Sequence, residues 1–168
     1  FLYNNLGISF LEMDQLEEAK KNFEKSLSLN PKFIQALNNL GIILSRLGND
    51  EDSAMYFKKA INIDSKFIEA YLNLGDLYQK LGDFYSGIEC CNASINLNPN
   101  LPRPYFLLGN LLKNLNKNEE AIKAYERCLN LDPNNYAVYN NLANTLIRVQ
   151  KIDKALIFFK NAFELNDQ

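Results

Sequence analysis

The chain has 168 residues, of which 47% are hydrophobic, and 18 basic and 20 acidic side chains give it a net charge of −2. This composition is ordinary for a folded globular domain, and it argues against the concentrated positive surface that binds nucleic acid or anionic membranes. The chain contains no histidine, the side chain that most often serves as general base or metal ligand.

Hydrophobic periodicity predicts pairs of amphipathic helices along the whole chain. In the second pair, Leu37, Leu40 and Leu44 fall at helical spacing in the first helix, and Phe57 and Ile61 do so in the second. The predicted pairs occupy residues 1–33, 34–67, 68–101, 102–135 and 136–168.

The turn inside each pair is predicted from its residue types. Asp14 lies in the first turn, and Gly48 and Gly82 suit the left-handed conformation that ends many helices. Asn116 occupies the same place in the fourth pair. Gln150 occupies it in the fifth, so we expect that turn to be the least favourable.

The fourth pair opens with Leu101-Pro102-Arg103-Pro104. Proline disfavours helical backbone at the residue before it. We therefore expect the first helix of this pair to start late, near Pro104.

The pairs are copies of one unit with a period of 34 residues. Small residues at two positions would let the two helices of a unit approach closely. A third position is aromatic in most units, and a proline follows it near the end of several units. The recurring sets are Gly7, Gly41, Gly75, Gly109 and Ala143; Ala19, Ser53, Gly87, Ala121 and Ala155; and Phe23, Phe57, Cys91, Tyr125 and Phe159.

This pattern resembles the tetratricopeptide repeat family over the whole chain. The resemblance implies an all-α fold, a right-handed α-solenoid of five helix-turn-helix units that form a single domain over residues 1–168. One unit cannot bury its apolar face alone, so stacking of neighbours supplies the core.

The two ends of the chain carry a further expectation. Phe1 already lies inside the first unit, and the last helix, with Leu156, Phe159 and Phe163, has no polar capping helix after it. Solenoid ends need polar caps for solubility. We expect either a fragment of a longer protein or an end-to-end contact between copies.

The resemblance places the first helix of each unit on the concave side, where a peptide-binding groove forms. Asparagine is enriched at these positions, and its amide can pair with both the N–H and the C=O of an extended peptide. The column resembles the asparagine ladder of O-linked N-acetylglucosamine transferase and its relatives. The candidate groove residues are Asn4, Asn5, Asn38, Asn39, Asn73, Asp76, Phe106, Leu107, Asn110, Asn140, Asn141 and Asn144.

Two alternatives remain open for these residues. Asparagine is abundant throughout the chain, so the column can also reflect composition. Leu72, Phe106 and Leu107 form either an apolar anchor pocket for a partner or part of the packing between neighbouring helices. The carboxylate clamp known from this fold requires a lysine at the position of Asn4, Asn38 and Leu72, and that lysine is absent.

The sequence offers no catalytic, metal or cofactor site. Cys90, Cys91 and Cys128 lack framework spacing, and we expect them to be small buried residues of a reducing compartment. The first hypothesis is a non-catalytic cytoplasmic scaffold that binds a peptide or protein, with no nucleic-acid or membrane partner. The alternatives are the substrate-recruiting arm of a larger transferase and an adaptor that assembles with itself through its ends.

Overall fold

The computed structural model describes residues 1–166, with side chains to residue 165, and the regular structure in this part is helical. The helices alternate with short loops. They are α1 (Leu2–Glu12), α2 (Leu16–Leu29), α3 (Ile34–Arg46), α4 (Asp50–Ile63), α5 (Ile68–Leu81), α6 (Phe84–Leu97), α7 (Pro102–Asn114), α8 (Asn118–Leu131), α9 (Tyr136–Arg148) and α10 (Ile152–Asn166).

Each predicted repeat therefore contains two helices, which confirms the all-α fold of five helix-turn-helix repeats. The chain divides into two compact parts with the boundary inside α5. From here on, the first unit is Phe1–Leu77 and the second unit is the part from Tyr78 onward. In both units, consecutive helices pack together, and the first helix of one repeat also contacts the first helix of the next: α1 contacts α3, and α7 contacts α9.

In the first unit, an aromatic ring packs directly on a glycine of the partner helix. A Cβ atom added to Gly41 would lie 2.6 Å from Cε1 of Phe57, and one added to Gly7 would lie 2.7 Å from Cε1 of Phe23. Both rings are fully buried. Glycine is needed here because it alone lets the helix backbone approach the ring so closely.

The second unit repeats this arrangement with a tyrosine. A Cβ atom on Gly109 would lie 2.5 Å from Cε1 of Tyr125. Around this ring, the core includes Cys128, Val138 and Leu142, all at 0% exposure. The three cysteines are buried, as expected, and burial raises the pKa of the Cys128 thiol to about 11.

The turns inside the repeats follow the prediction. All five take positive φ at the same repeat position: 58° at Asp14, 82° at Gly48, 78° at Gly82, 60° at Asn116 and 61° at Gln150. The left-handed conformation costs little for glycine and more for residues with a Cβ atom. Asp and Asn adopt it more readily than other residues with a Cβ atom, so the turn at Gln150 is still expected to be the least favourable.

The predicted late start of the first helix in the fourth repeat is wrong. Helix α7 begins at Pro102, directly after its N-cap Leu101. The first backbone N–H groups of a helix have no partner inside it, so proline in the first turn loses no hydrogen bond. Pro104 is still in that turn and is buried.

Among the described residues, no helix combines the length and the apolar character needed to cross a membrane.

Candidate functional site on the first helices of the repeats

In the first unit, asparagine side chains of successive repeats bond to one another. Asn39 Nδ2 donates to Asn4 Oδ1 at 3.3 Å, and Asn73 Nδ2 donates to Asn38 Oδ1 at 2.9 Å. Each pair joins residues 35 positions apart. The amide at one repeat position is therefore the acceptor for the amide at the next position of the following repeat.

This pairing divides the asparagines into buried acceptors and more accessible donors. Asn4 and Asn38 are 5% and 6% exposed, whereas Asn39 and Asn73 are half-buried. The bond to Asn4 uses one N–H of Asn39, so its second N–H and its Oδ1 remain available to another group. Asn5, next to Asn4 on α1, is exposed.

In the second unit, the pairing shifts by one helical turn. Repeat 4 has Phe106 where repeats 1 and 2 have the acceptor asparagines, and its ring packs against Tyr125 with centroids 6.2 Å apart. Asn141 Nδ2 donates instead to Asn110 Oδ1 at 3.0 Å, which also accepts the Tyr125 hydroxyl at 2.7 Å. Asn110 thus connects Asn141 to the buried ring of its own repeat. The asparagines of the first helices are called the asparagine row below.

Two cations lie next to this network. Lys113 Nζ donates to Asn141 Oδ1 at 3.4 Å, and a guanidinium nitrogen of Arg148 donates to the backbone carbonyl of Lys113 at 3.4 Å. Burial, followed by the nearby charge of Arg148, lowers the pKa of Lys113. Burial also raises the pKa of Tyr125, so its hydroxyl stays a hydrogen-bond donor at neutral pH.

The remaining candidates lie on the accessible surface. Asp76 is exposed in the first unit, and Asn144 is exposed in the second, where its amide donates to the backbone carbonyl of Asn140 at 2.8 Å. Asn140 itself is half-buried beside the rings of Phe159 and Phe163 in a cavity of about 330 Å³.

Three candidate residues are not presented for binding as the sequence suggested. Asn4, Asn38 and Leu107 are buried, with Leu107 at 3% exposure. Leu72 is also buried, at 4%. Of the two alternatives left open for Leu72, Phe106 and Leu107, burial of both leucines favours packing between helices over an anchor pocket for a partner.

Sequence reasoning missed the amide pairs and one ion pair. Arg46 donates to Asp14 Oδ1 at 2.8 Å, linking the end of α3 to the turn between α1 and α2. The signal for the amide pairs was present: Asn4-Asn5 and Asn38-Asn39 place two adjacent asparagines at the same repeat positions. Adjacent residues on a helix point about 100° apart, so only one of them can face a groove while the other faces a neighbouring helix.

Across the described residues, no three acidic or cysteine side chains come together in a way that could hold a metal ion.

Comparison with known families supports the repeat assignment. Models described as tetratricopeptide repeat match residues 1–66, 68–101, 102–135 and 124–157, which together cover most of the chain. The chain is a tetratricopeptide repeat protein. Comparison with curated proteins found no match.

Solved structures similar to this tetratricopeptide repeat protein include MamA from Desulfovibrio magneticus RS-1, with a TM-score of 0.87 and 22% identity over 99% of this chain and 94% of that one. PilF from Pseudomonas aeruginosa has a TM-score of 0.91 at 20% identity, covering 97% of this chain and 74% of that one. YrrB, described as a tetratricopeptide repeat protein with an unusual peptide-binding site, has a TM-score of 0.76 at 20% identity, covering 99% and 86%. At these identities the likeness shows the fold.

Proposed function

We propose that this chain is a non-catalytic cytoplasmic scaffold that holds a peptide or protein segment on the first helices of its repeats. The observation that carries the proposal is the half-buried Asn39, which uses one of its N–H groups in a bond to Asn4 within the described part of the chain. An amide fixed in this way presents a donor and an acceptor at a set orientation. These are the groups that pair with the main chain of an extended peptide.

The internal pairing strengthens this proposal. An unpaired asparagine on a helix surface would lose side-chain freedom when a peptide binds, and that loss weakens affinity. The bond from Asn39 to the buried Asn4 fixes the donor before a peptide arrives. YrrB, a structural relative, is described as having a peptide-binding site, so the fold accommodates this use.

The proposal is tested with peptides selected from a random phage-displayed library on the intact chain. Affinity for a selected peptide is then measured by fluorescence anisotropy for Asn5→Ala, for Asn39→Ala and for the control Asn22→Ala. Asn22 lies on α2 and bonds to the Glu18 carbonyl, away from the asparagine row. We expect the first two variants to weaken binding severalfold and the control to bind normally.

Asn39→Ala also removes the partner of the buried Asn4, so its melting temperature must be measured. Asn5 is exposed and has no such role, which makes Asn5→Ala the cleaner variant. If both variants bind the selected peptide as tightly as the unchanged chain, the asparagine row is not the binding surface.

A second candidate function is self-assembly through the terminal repeats. Leu156 on α10 is 62% exposed, whereas Ile122, at the same position of the preceding repeat, is 6% exposed. In α8 that face is packed against α9. At the other end, Leu2 is 75% exposed, whereas Ala36, its counterpart one repeat later, is fully buried.

These two apolar faces are the two sides of the stacking interface inside the protein. Contact between α10 of one copy and α1 of another would join different surfaces, and such contacts form rings or open chains. Light scattering across a concentration series tests this candidate. We expect growth in mass that Leu156→Lys abolishes, and a concentration-independent monomer would exclude it.

A further inference from the structure

Lys113 and Arg148 place two positive charges together at the ends of α7 and α9. The Arg148 guanidinium reaches the Lys113 carbonyl, and the Lys113 ammonium reaches the Asn141 amide oxygen. Both helices therefore contribute a cation to the same patch, beside Asn110 and Asn141 of the second unit. Lys113 is half-buried and Arg148 is exposed.

An equivalent cation in the first unit already has an anionic partner. Arg46 occupies the repeat position of Arg148, and it binds the carboxylate of Asp14. The residue at the position of Asp14 in the fourth repeat is Asn116, which is neutral. Asp14 and Asn116 have the same backbone conformation, with φ of 58° and 60°.

Residue 116 is also placed beside Arg148. The backbone N–H of Asn116 and the Arg148 guanidinium both donate to the carbonyl of Lys113. A carboxylate at this position would therefore reach the guanidinium, as Asp14 reaches Arg46. The second unit therefore has the cation, Arg148, but a neutral Asn116 at the position of the carboxylate.

The acidic side chains in the first turn of α8 are paired with other cations. Glu119 binds Lys151 at 2.9 Å, and Glu120 lies 3.9 Å from Lys117. Within the part of the chain that the structure describes, neither Lys113 nor Arg148 forms an ion pair. Burial, followed by repulsion from the charge of Arg148, lowers the pKa of Lys113.

We propose that Lys113 and Arg148 bind an acidic side chain of a partner peptide beside Asn110 and Asn141 in the second unit. The inference rests on the proposed peptide-binding function and adds a charge requirement to it. Arginine is suited to this role because its planar guanidinium can donate two parallel hydrogen bonds to one carboxylate. The site differs in position from the carboxylate clamp, whose lysine the sequence lacks.

The probes are short capped peptides titrated into the isotopically labelled chain and followed by NMR. Ac-Ala-Glu-Ala-NH2 carries a side-chain carboxylate, Ac-Ala-Gln-Ala-NH2 is its neutral counterpart, and Ac-Ala-Ala-Ala-OH carries only a terminal carboxylate. The observed signals are the Nε–H of Arg148 and the side-chain amides of Asn110 and Asn141, together with those of Asn5 and Asn39 in the first unit. We expect the glutamate peptide to bind about tenfold more tightly than the glutamine peptide.

Three variants locate the effect. Arg148→Gln should remove the preference for glutamate, whereas the matched control Arg46→Gln should leave it unchanged, because Arg46 is already paired with Asp14. Asn116→Asp supplies the missing carboxylate from within the chain. It should abolish the preference and shift the Arg148 Nε–H signal without any peptide.

The outcomes separate this inference from the function on which it rests. Equal binding of the glutamate and glutamine peptides, with shifts at Asn5 and Asn39, would overturn the acidic site and support the asparagine surface. Tighter binding of the terminal carboxylate than of the glutamate side chain would overturn the side-chain assignment. If no peptide shifts any of these signals, both proposals are wrong.

Discussion

The contact between Gly41 and Phe57 gives a prediction whose sign can be worked out from the structure. Replacing Gly41 with alanine places a methyl group 2.6 to 3.0 Å from three atoms of the Phe57 ring. These distances are well inside van der Waals contact. The ring is 1% exposed, so it cannot swing into solvent, and either the ring or the α3 backbone must move.

Two effects of opposite sign compete in Gly41→Ala. Alanine is a better helix former than glycine by about 1 kcal/mol in a helix interior. Overpacking a filled core costs about 1–3 kcal/mol. Because the clash involves a whole ring edge, we expect overpacking to win and the free energy of unfolding to fall by about 1–2 kcal/mol.

A second background separates the two effects. The third repeat has Cys91 at the position of Phe57, so a cysteine is a size that this repeat position accepts. In a Phe57→Cys background the ring is gone, and only the helix-forming advantage of alanine remains. There, Gly41→Ala should raise the free energy of unfolding by about 1 kcal/mol.

Urea unfolding followed by far-ultraviolet circular dichroism measures all four proteins. Gly48→Ala is the control, because Gly48 has no neighbour within 4 Å of an added Cβ atom and instead requires a φ of 82°. Its cost should be the same in both backgrounds. The packing argument is refuted if Gly41→Ala raises the unfolding midpoint while Phe57 is still present.

Three further predictions concern the turns, the cysteines and the amide pairs. Gln150→Gly should raise the free energy of unfolding by about 1 kcal/mol, because it removes a left-handed residue with a Cβ atom; a lower urea midpoint would contradict this. Burial raises the Cys128 pKa from 9.0 to about 11, so stability should fall as pH rises from about 9 toward 11, and Cys128→Ala should flatten that decline in urea midpoints. A double-mutant cycle of Asn38→Ala and Asn73→Ala should give a coupling of about 0.5–1.5 kcal/mol, and additive effects would show that their bond contributes nothing.

Much of the fold could be predicted from the sequence because the repeat reports each structural position five times. A single Gly48 is weak evidence for a left-handed turn, but the same position recurs at each repeat, and φ is positive at all of them. The start of α7 was missed for a local reason. The rule that proline disfavours helix before it was applied to Pro102 and Pro104, although helix first turns tolerate proline.

The candidate site was harder to predict, because repeat position does not determine what a side chain contacts. Asn38 and Asn39 are neighbours on one helix, yet the first is buried and the second half-buried. Leu107 was assigned to the groove by its position, and packing instead buries it. The role proposed for Arg148 rests on the difference between its surroundings and the Arg46–Asp14 pair, which repeat position alone does not show. That the accessible asparagines bind a peptide remains a prediction.

The two kinds of contact described here act over different distances along the chain. The ring on glycine, as in Phe57 on Gly41, joins the two helices of one repeat, whereas the bond from Asn73 to Asn38 joins one repeat to the next. In a one-dimensional Ising description, the first sets the intrinsic free energy of a repeat and the second its nearest-neighbour coupling. Substitutions at the glycine and at the asparagine could thus tune separately how readily a repeat melts and how far that melting spreads.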